Sequence, residues 1–189
     1  MQIAGLVLAA GAGRRYGMAK ALVAYDGGLL VHHAVRILRD AGCAPTRVVD
    51  GAEGAAVRAA APDLTYVDNP EWATGMGSSL RAGLAGLTGT PAQAVVVLLV
   101  DMPGVTPEAV RRIAAYAAPD ALVTGGYGDR RGHPVLLGRD HWAGAAAAAT
   151  GDRGARDYLR AHNDVLRVVD VADVADDTDL DVPSGANRA

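Results

Sequence analysis

The chain of 189 residues contains no phenylalanine, and aromatic residues make up only 4% of it. A core without Phe must be filled by Ala, Val and Leu, which favours close packing of helices on a sheet over an aromatic-lined pocket. Cysteine is nearly as scarce. Cys43 is the only one, which excludes an internal disulfide and any metal site built on several thiolates. The simplest reading of such cysteine usage is a cytoplasmic protein. Positive charge is not in excess either: 18 Lys and Arg stand against 21 Asp and Glu, for a formal net charge of −3. That balance argues against non-specific nucleic-acid binding, which needs a basic face. No apolar run approaches the ~20 residues of a membrane span, and the first residues show neither a charged n-region nor a small-residue cleavage site. Apolar residues and glycine are plentiful, at 50% and 24 residues. A single domain over residues 1–189 with a sizeable buried core is expected.

Apolar, β-rich runs alternate with helical patterns along the chain. Strands are expected at Ile3–Leu8, Thr46–Val49, Leu64–Val67, Ala94–Val100, Ala121–Thr124, Pro134–Leu137 and Val165–Val171. Helices are expected at Leu29–Ala41, with Gly42 as its stop, and at Gly54–Ala61. Another should run from a Ser78 or Ser79 cap to about Leu87, and another from Thr106-Pro107 to about Ala117. Trp142–Thr150 and Gly154–Ala161 complete the set, and the acidic stretch after Asp173 reads as a loosely ordered tail. The alternation indicates an α/β domain with a mainly parallel sheet, Rossmann-like and three-layered. Such sheets bind ligands at the carboxyl ends of their strands, where the loops 9–20, 68–79 and 101–104 all fall.

The first of these loops is the most informative stretch. Leu8-Ala9-Ala10-Gly11-Ala12-Gly13-Arg14-Arg15-Tyr16-Gly17-Met18-Ala19-Lys20 follows directly on the first strand. Glycines without Cβ let a ligand approach the backbone, successive N–H groups form an anion nest, and Arg and Lys bind phosphate as a fork and as a point charge. The loop is not a Walker A sequence, because no Gly-Lys-Ser/Thr ending is present. A dinucleotide fingerprint stays open: Gly11, Gly13 and Gly17 are spaced for it, and Asp50 follows the second strand. So does a plain glycine-rich turn with exposed arginines.

Three further segments carry chemistry-bearing residues. Asp101 closes the apolar run Ala94–Val100, where a carboxylate could hold Mg²⁺ together with substrate phosphates or simply cap the next turn. In Asp68–Leu80, Gly75 and Gly77 expose backbone N–H groups and Ser78 and Ser79 open a helix, a second possible anion site; Trp72 could equally plug the core. Arg130-Arg131-Gly132-His133-Pro134 offers His133 as an acid/base group or as a loop hydrogen-bonding residue. Gly151–Arg156 supplies Asp152, as ligand or helix cap, and the cations Arg153 and Arg156. His32, His33 and Cys43 read as ordinary structural residues.

These segments together resemble the nucleotidyltransferases similar to molybdenum cofactor guanylyl- and cytidylyltransferases. The pattern Leu-Ala-Ala-Gly-x-Gly-x-Arg-x-Gly-x-x-Lys over Leu8–Lys20 looks like their signature, with Arg15 and Lys20 as its cations and Arg14 at a variable position. Asp101-Met102-Pro103 resembles their Mg²⁺-binding Asp-x-Pro. Asn69–Ser79 is similar to the Asn-Pro-x-Trp-x-x-Gly-Met-Gly-Ser-Ser block of the cytidylyltransferase branch. Gly132-His133-Pro134 and Gly151–Arg156 resemble segments near the acceptor. Asp179-Leu180-Asp181-Val182-Pro183 resembles Asp-x-Asp-Thr-Pro but has Val182 for Thr, which weakens a metal role for Asp179 or Asp181.

The resemblance implies transfer of a nucleoside monophosphate from CTP (or GTP) to a molybdopterin-type acceptor, with Mg²⁺ as cofactor and release of pyrophosphate. Arg15, Lys20 and Asp101 would be catalytic, and Asp101, with Asp181, would ligate metal. Leu8, Ala9, Ala10, Gly11, Gly13, Arg14, Gly75, Gly77 and Ser78 would bind nucleotide. Ser79, His133, Asp152 and Arg156 would face the acceptor. Ala10, in place of a second glycine, and the 69–79 block favour CTP, and a molybdoenzyme or its maturation chaperone would be the client. Two rival readings are an NAD(P)-dependent oxidoreductase using the first turn and a non-catalytic carrier of a nucleotide-bearing cofactor. A third keeps the transferase core but gives it a small sugar or alditol phosphate.

Overall fold

The computed structural model describes residues 1–13 and 17–180. A seven-stranded sheet runs through the centre in the spatial order β5-β4-β1-β6-β8-β7-β9. Its strands are β1 (Ile3–Leu8), β4 (Thr46–Asp50), β5 (Tyr66–Asp68), β6 (Ala94–Leu99), β7 (Leu122–Tyr127), β8 (Arg130–Gly138) and β9 (Arg167–Asp170). All run parallel except β8, which pairs antiparallel with both β6 and β7. The tight turn at Gly128-Asp129 forces that reversal, because a two-residue connection can only join antiparallel strands. A separate two-stranded hairpin, β2 (Ala24–Tyr25) with β3 (Gly28–Leu29), turns on Asp26 and Gly27, both at positive φ (49° and 73°). The Asp-Gly pair announces this turn, but strands of two residues carry no readable periodicity.

The helices are α1 (Leu30–Asp40), α2 (Gly54–Ala60), α3 (Met76–Leu87), α4 (Pro107–Ala114), α5 (Trp142–Ala148) and α6 (Arg156–Ala161). Two apolar layers sandwich the sheet. Along β6 the side chains alternate: Ala94, Val96 and Leu98 join the layer of α1, α2 and α4, while Val95 and Val97 join that of α3 and α5. A strand covered on both faces needs an unbroken apolar run, which β6 has. Each fully buried Leu or Val contributes about 1.5–3 kcal/mol by leaving water. Gly83 lets α3 settle tightly on the sheet, since a Cβ there would stand 2.6 Å from Leu6 Cδ2.

Several local expectations are corrected. Gly75, not Ser78 or Ser79, takes the position before α3; both serines lie inside the helix. Asp152 caps nothing: it sits in the 3-10 turn Gly151–Arg153, and α6 starts later, at Arg156. Thr106 does cap α4, accepting from Ala109 N at 3.2 Å with Pro107 in the first turn. The tail expected to be loose makes specific contacts up to Leu180. Asp173 takes two bonds from Arg112, Asp176 N donates to Gly104 O at 3.0 Å, and Leu180 N donates to Asp101 O at 2.8 Å.

Candidate active site

The parallel register sets β1 and β6 flush at their carboxyl ends, pairing Leu8 with Leu99. The chain stays laddered just beyond. Ala9 N donates to Val49 O, Val100 N to Leu8 O, and Ala52 N to Ala10 O. The loop 9–13 and Asp101 therefore emerge side by side. Gly13 has φ +54, and a Cβ there would collide with Met18 O, so this position requires glycine.

Lys20 opens the 3-10 turn Lys20–Leu22, and its Nζ donates to Asp101 Oδ2 at 2.8 Å. Both side chains are largely screened from water, 16% and 21% exposed. Ala19, just before Lys20, is held from outside: its N–H donates to Glu53 Oε1 at 3.1 Å. Glu53 has φ +54, a conformation few non-glycine residues adopt. The Asp101 loop is braced as well, with His33 Nε2 3.0 Å from Pro103 O.

Two cavities open here. The first, about 430 Å³, is lined by Leu8, Ala10, Gly11, Gly13, Lys20, Trp72, Gly75, Met76, Ser79, Asp101 and Asp152, among others. The second, about 800 Å³, has an apolar floor that includes Leu80, Val97, Val135, Leu159 and Leu166. Arg130, Arg131, Arg153, Arg156 and Arg160 also line it, with His133, Thr124, Asp177 and Asp179. Leu8, Met76, Leu99 and Asp152 line both, so the cavities adjoin.

The expected site residues therefore separate into groups. Leu8, Ala10, Gly11, Gly13, Lys20, Gly75 and Asp101 meet at the first cavity. Ser79, expected on the acceptor side, lies there too. His133, Asp152 and Arg156 line the second cavity. Ala9, Gly77 and Ser78 line neither. Ala9 belongs to the core, and a Cβ on Gly77 would press on Thr150 N at 2.7 Å. The Ser78 hydroxyl is taken up inside its own segment, 2.8 Å from Gly75 O and 3.0 Å from Glu71 O. Buried Asn69 donates to both Ser78 and Ser79 Oγ, at 2.9 and 3.0 Å, so this block is locked by its own polar groups. Arg14, Arg15 and Asp181 lie outside the described residues. Trp72, Met76 and Arg160 are lining residues that were not expected. Arg160 stands one helical turn from Arg156, a spacing that could have revealed it.

The electrostatics are specific. His133 directs Nδ1 at Val97 O, 3.0 Å away, and its imidazole titrates below the usual histidine range because it is desolvated. That favours the neutral ring, with Nδ1–H donating. Burial, reinforced by Asp177 and Asp176, pushes the Tyr127 hydroxyl up to about 12, so it stays protonated and donates to His133 O at 2.5 Å. Asp177 pairs with Arg130 at 3.0 Å beside the larger cavity. Asp50, which kept the dinucleotide reading open, is fully buried and receives two bonds from Arg58, at 2.5 and 2.9 Å. It lines neither cavity.

No cluster of three or more His, Cys, Asp or Glu able to hold a metal occurs among the described residues. The donor set at Asp101 fits a cation that arrives with its substrate, because Mg²⁺ is commonly held by one or two carboxylates plus phosphate oxygens. No helix among the described residues is long and apolar enough to cross a membrane.

Known proteins agree with this architecture. The sequence model of the MobA-like NTP transferase domain matches residues 5–165. The chain is 34% identical over 189 residues to nicotine blue oxidoreductase of Paenarthrobacter nicotinovorans, covering 95% of this chain and 92% of that protein. It is 33% identical over 146 residues to molybdenum cofactor guanylyltransferase of Rhodobacter capsulatus, covering 77% and 68%. Among solved structures, Rv0371c of Mycobacterium tuberculosis superposes with a TM-score of 0.80 at 31% identity, over 96% of this chain and 93% of that one. A second structure of Rv0371c, in complex with manganese, gives 0.76 at 28% over 90% and 89%. On the match across residues 5–165 and on these relatives, the chain belongs to the MobA-like NTP transferase family and is a nucleotidyltransferase.

Proposed function

We propose that the protein transfers a nucleoside monophosphate from CTP to a phosphate-bearing acceptor of molybdopterin type, in the cytoplasm, and releases pyrophosphate. The observation that carries this reading is the pair of adjoining cavities. One combines a glycine-rich loop with Lys20 and Asp101, and the other combines an apolar floor with five arginines. A triphosphate suits the first and an anionic acceptor with an apolar body suits the second. Molybdenum cofactor guanylyltransferases among the relatives support the acceptor class. Leu8-Ala9-Ala10-Gly11 and the Trp72–Ser79 block support CTP over GTP.

In this reading an acceptor phosphate oxygen attacks the α-phosphorus, a new P–O bond forms, and the bond to the β-phosphate oxygen breaks. The work is positioning and charge neutralisation. Backbone N–H groups of the 10–13 turn cradle phosphate oxygens, and Lys20 neutralises charge on the triphosphate and in the transition state. Arg15 adds a second cation, with Arg14 beside it. Asp101 would hold Mg²⁺ together with the substrate phosphates, and the bound ion would supply charge neutralisation there. Asp181 is a candidate additional ligand. His133, Asp152 and Arg156 orient the acceptor, while Ser79, at the first cavity, stands on the nucleotide side. His133, held neutral, acts as a hydrogen-bonding group and not as a proton shuttle. The nucleotide-bearing product passes to a molybdoenzyme or its maturation chaperone.

Pyrophosphate release, measured with each of CTP, GTP, ATP and UTP in the presence of Mg²⁺ and molybdopterin, tests the reading. Turnover with CTP is expected; turnover with GTP alone would reassign the base, and none with any nucleotide would overturn the proposal. A second reading, NAD(P)H-dependent redox chemistry, is favoured by the name of the 34% identical relative. Against it stands Asp50, which is fully buried, bonded to Arg58 and lines neither cavity. Stabilisation by NADPH that ignores divalent metal would support that second reading.

A further inference from the structure

His33 looks unremarkable in the sequence, yet the fold places it between a cation and the loop that carries Asp101. Its Nε2 lies 3.0 Å from Pro103 O, across 70 residues of chain. Its Nδ1 lies 3.1 Å from Arg36 Nη2, and Arg36 also reaches Asp26 Oδ2 at 3.4 Å. A guanidinium only donates, so Nδ1 must present its lone pair. The ring hydrogen is thereby left on Nε2, where it points at the Pro103 carbonyl. Tyr25 packs edge-on against the imidazole, with ring centroids 4.8 Å apart. Both the orientation and the tautomer of His33 are therefore set by its neighbours. Pro103 lies two residues beyond Asp101, and the same loop is tied on another side through Asp101 O and Gly104 O to Leu180 N and Asp176 N.

We infer that His33 is a positioning residue: through its bond to Pro103 O it holds the Asp101 carboxylate where a nucleotide-borne divalent cation meets it. This rests on the nucleotidyl-transfer reading. Groups behind a metal ligand commonly matter by about 10–100-fold in metal affinity or activity. His33→Phe keeps a ring against Tyr25 and removes both hydrogen bonds. His33→Gln gives up the ring but offers an N–H to Pro103 O and an oxygen to Arg36.

The experiment is Mn²⁺ binding in the presence of CTP or GTP, followed by electron paramagnetic resonance, with the ligand-free melting temperature of each variant recorded alongside. His33→Phe is expected to weaken Mn²⁺ binding by about tenfold or more, while His33→Gln stays within about threefold of the parent protein. Parent-like binding by His33→Phe, or equal losses in both variants, overturns the assignment. No Mn²⁺–nucleotide binding by the parent protein overturns the transferase reading and this inference with it. Should His33→Phe fail to fold, exposed Arg36 carries the test: Arg36→Met removes the donor that fixes the tautomer and is expected to weaken Mn²⁺ binding by about threefold. Unchanged binding there overturns the inference.

Discussion

Replacing Gly75 by alanine tests whether the two cavities depend on one glycine. Gly75 has φ +110° and ψ 178°, a region that side chains with a Cβ essentially never occupy. Strain of that kind costs about 1–3 kcal/mol. A Cβ at this point would also stand 2.5 Å from Gly151 C and 2.6 Å from Asp152 Oδ1, closer than any ordinary contact. Overpacking of a fitted position costs a further ~1–3 kcal/mol. The sum is about 2–6 kcal/mol, and a domain of this size loses roughly 2–4 °C of Tm per kcal/mol. A fall of about 5–20 °C is therefore expected by differential scanning calorimetry. Gly89→Ala is the control: nothing lies within 4 Å of its Cβ position, and its Tm should hold within about 2 °C. Because Asp152 lines both cavities, Gly75→Ala should also raise the KM for the acceptor. A Gly75→Ala protein that melts with its parent would refute the reasoning, since strain and contact would both have been misjudged.

Lys20→Met and Asp101→Asn are each expected to lower kcat for pyrophosphate release by about 10²–10³, the range for losing one preorganised charge-stabilising group; turnover within threefold of the parent removes the residue from the mechanism. His133 titrates lower in the folded protein than in the unfolded chain because its ring is desolvated. The unfolded state then binds more protons as pH falls below the ordinary histidine value of about 6.5, so that contribution to stability is complete above 6.5 and is lost on acidification. Melting curves from pH 7.5 to 5.5 should show a smaller loss for His133→Gln, and parallel curves would contradict the assignment. Burial pushes the Cys43 thiol up to about 12. Iodoacetamide at pH 8 should leave the native protein unmodified and label it only on unfolding, as mass spectrometry can show; rapid native labelling would place Cys43 at the surface.

Local chemistry made much of the fold legible. The unbroken run Ala94–Val100 announced a strand covered on both faces, and Thr106-Pro107 announced the start of α4. Where expectations missed, a competing local solution had won. Ser78 and Ser79 are good capping residues, but Gly75 makes the turn that starts α3, and the serine hydroxyls are consumed by Glu71, Gly75 and Asn69. The β2–β3 hairpin escaped because two-residue strands leave no pattern to read. His33 escaped because nothing within its own helix distinguishes it.

The sequence by itself determined the alternation of strand and helix, the glycine-rich turn after β1, and the carboxylate after β6, because each depends on residues close together in the chain. It also carried the family resemblance, which is a matter of short motifs. The tertiary structure alone decided that Lys20 meets Asp101 across 81 residues, that Asp50 is spent on Arg58, and that the arginines of β8 and α6 gather around one cavity. Those contacts follow from the spatial order of the strands and from the pairing of Leu8 with Leu99. Strand order comes from packing the two apolar layers together; a strand's period-2 pattern says which face it buries, not which strand it lies beside.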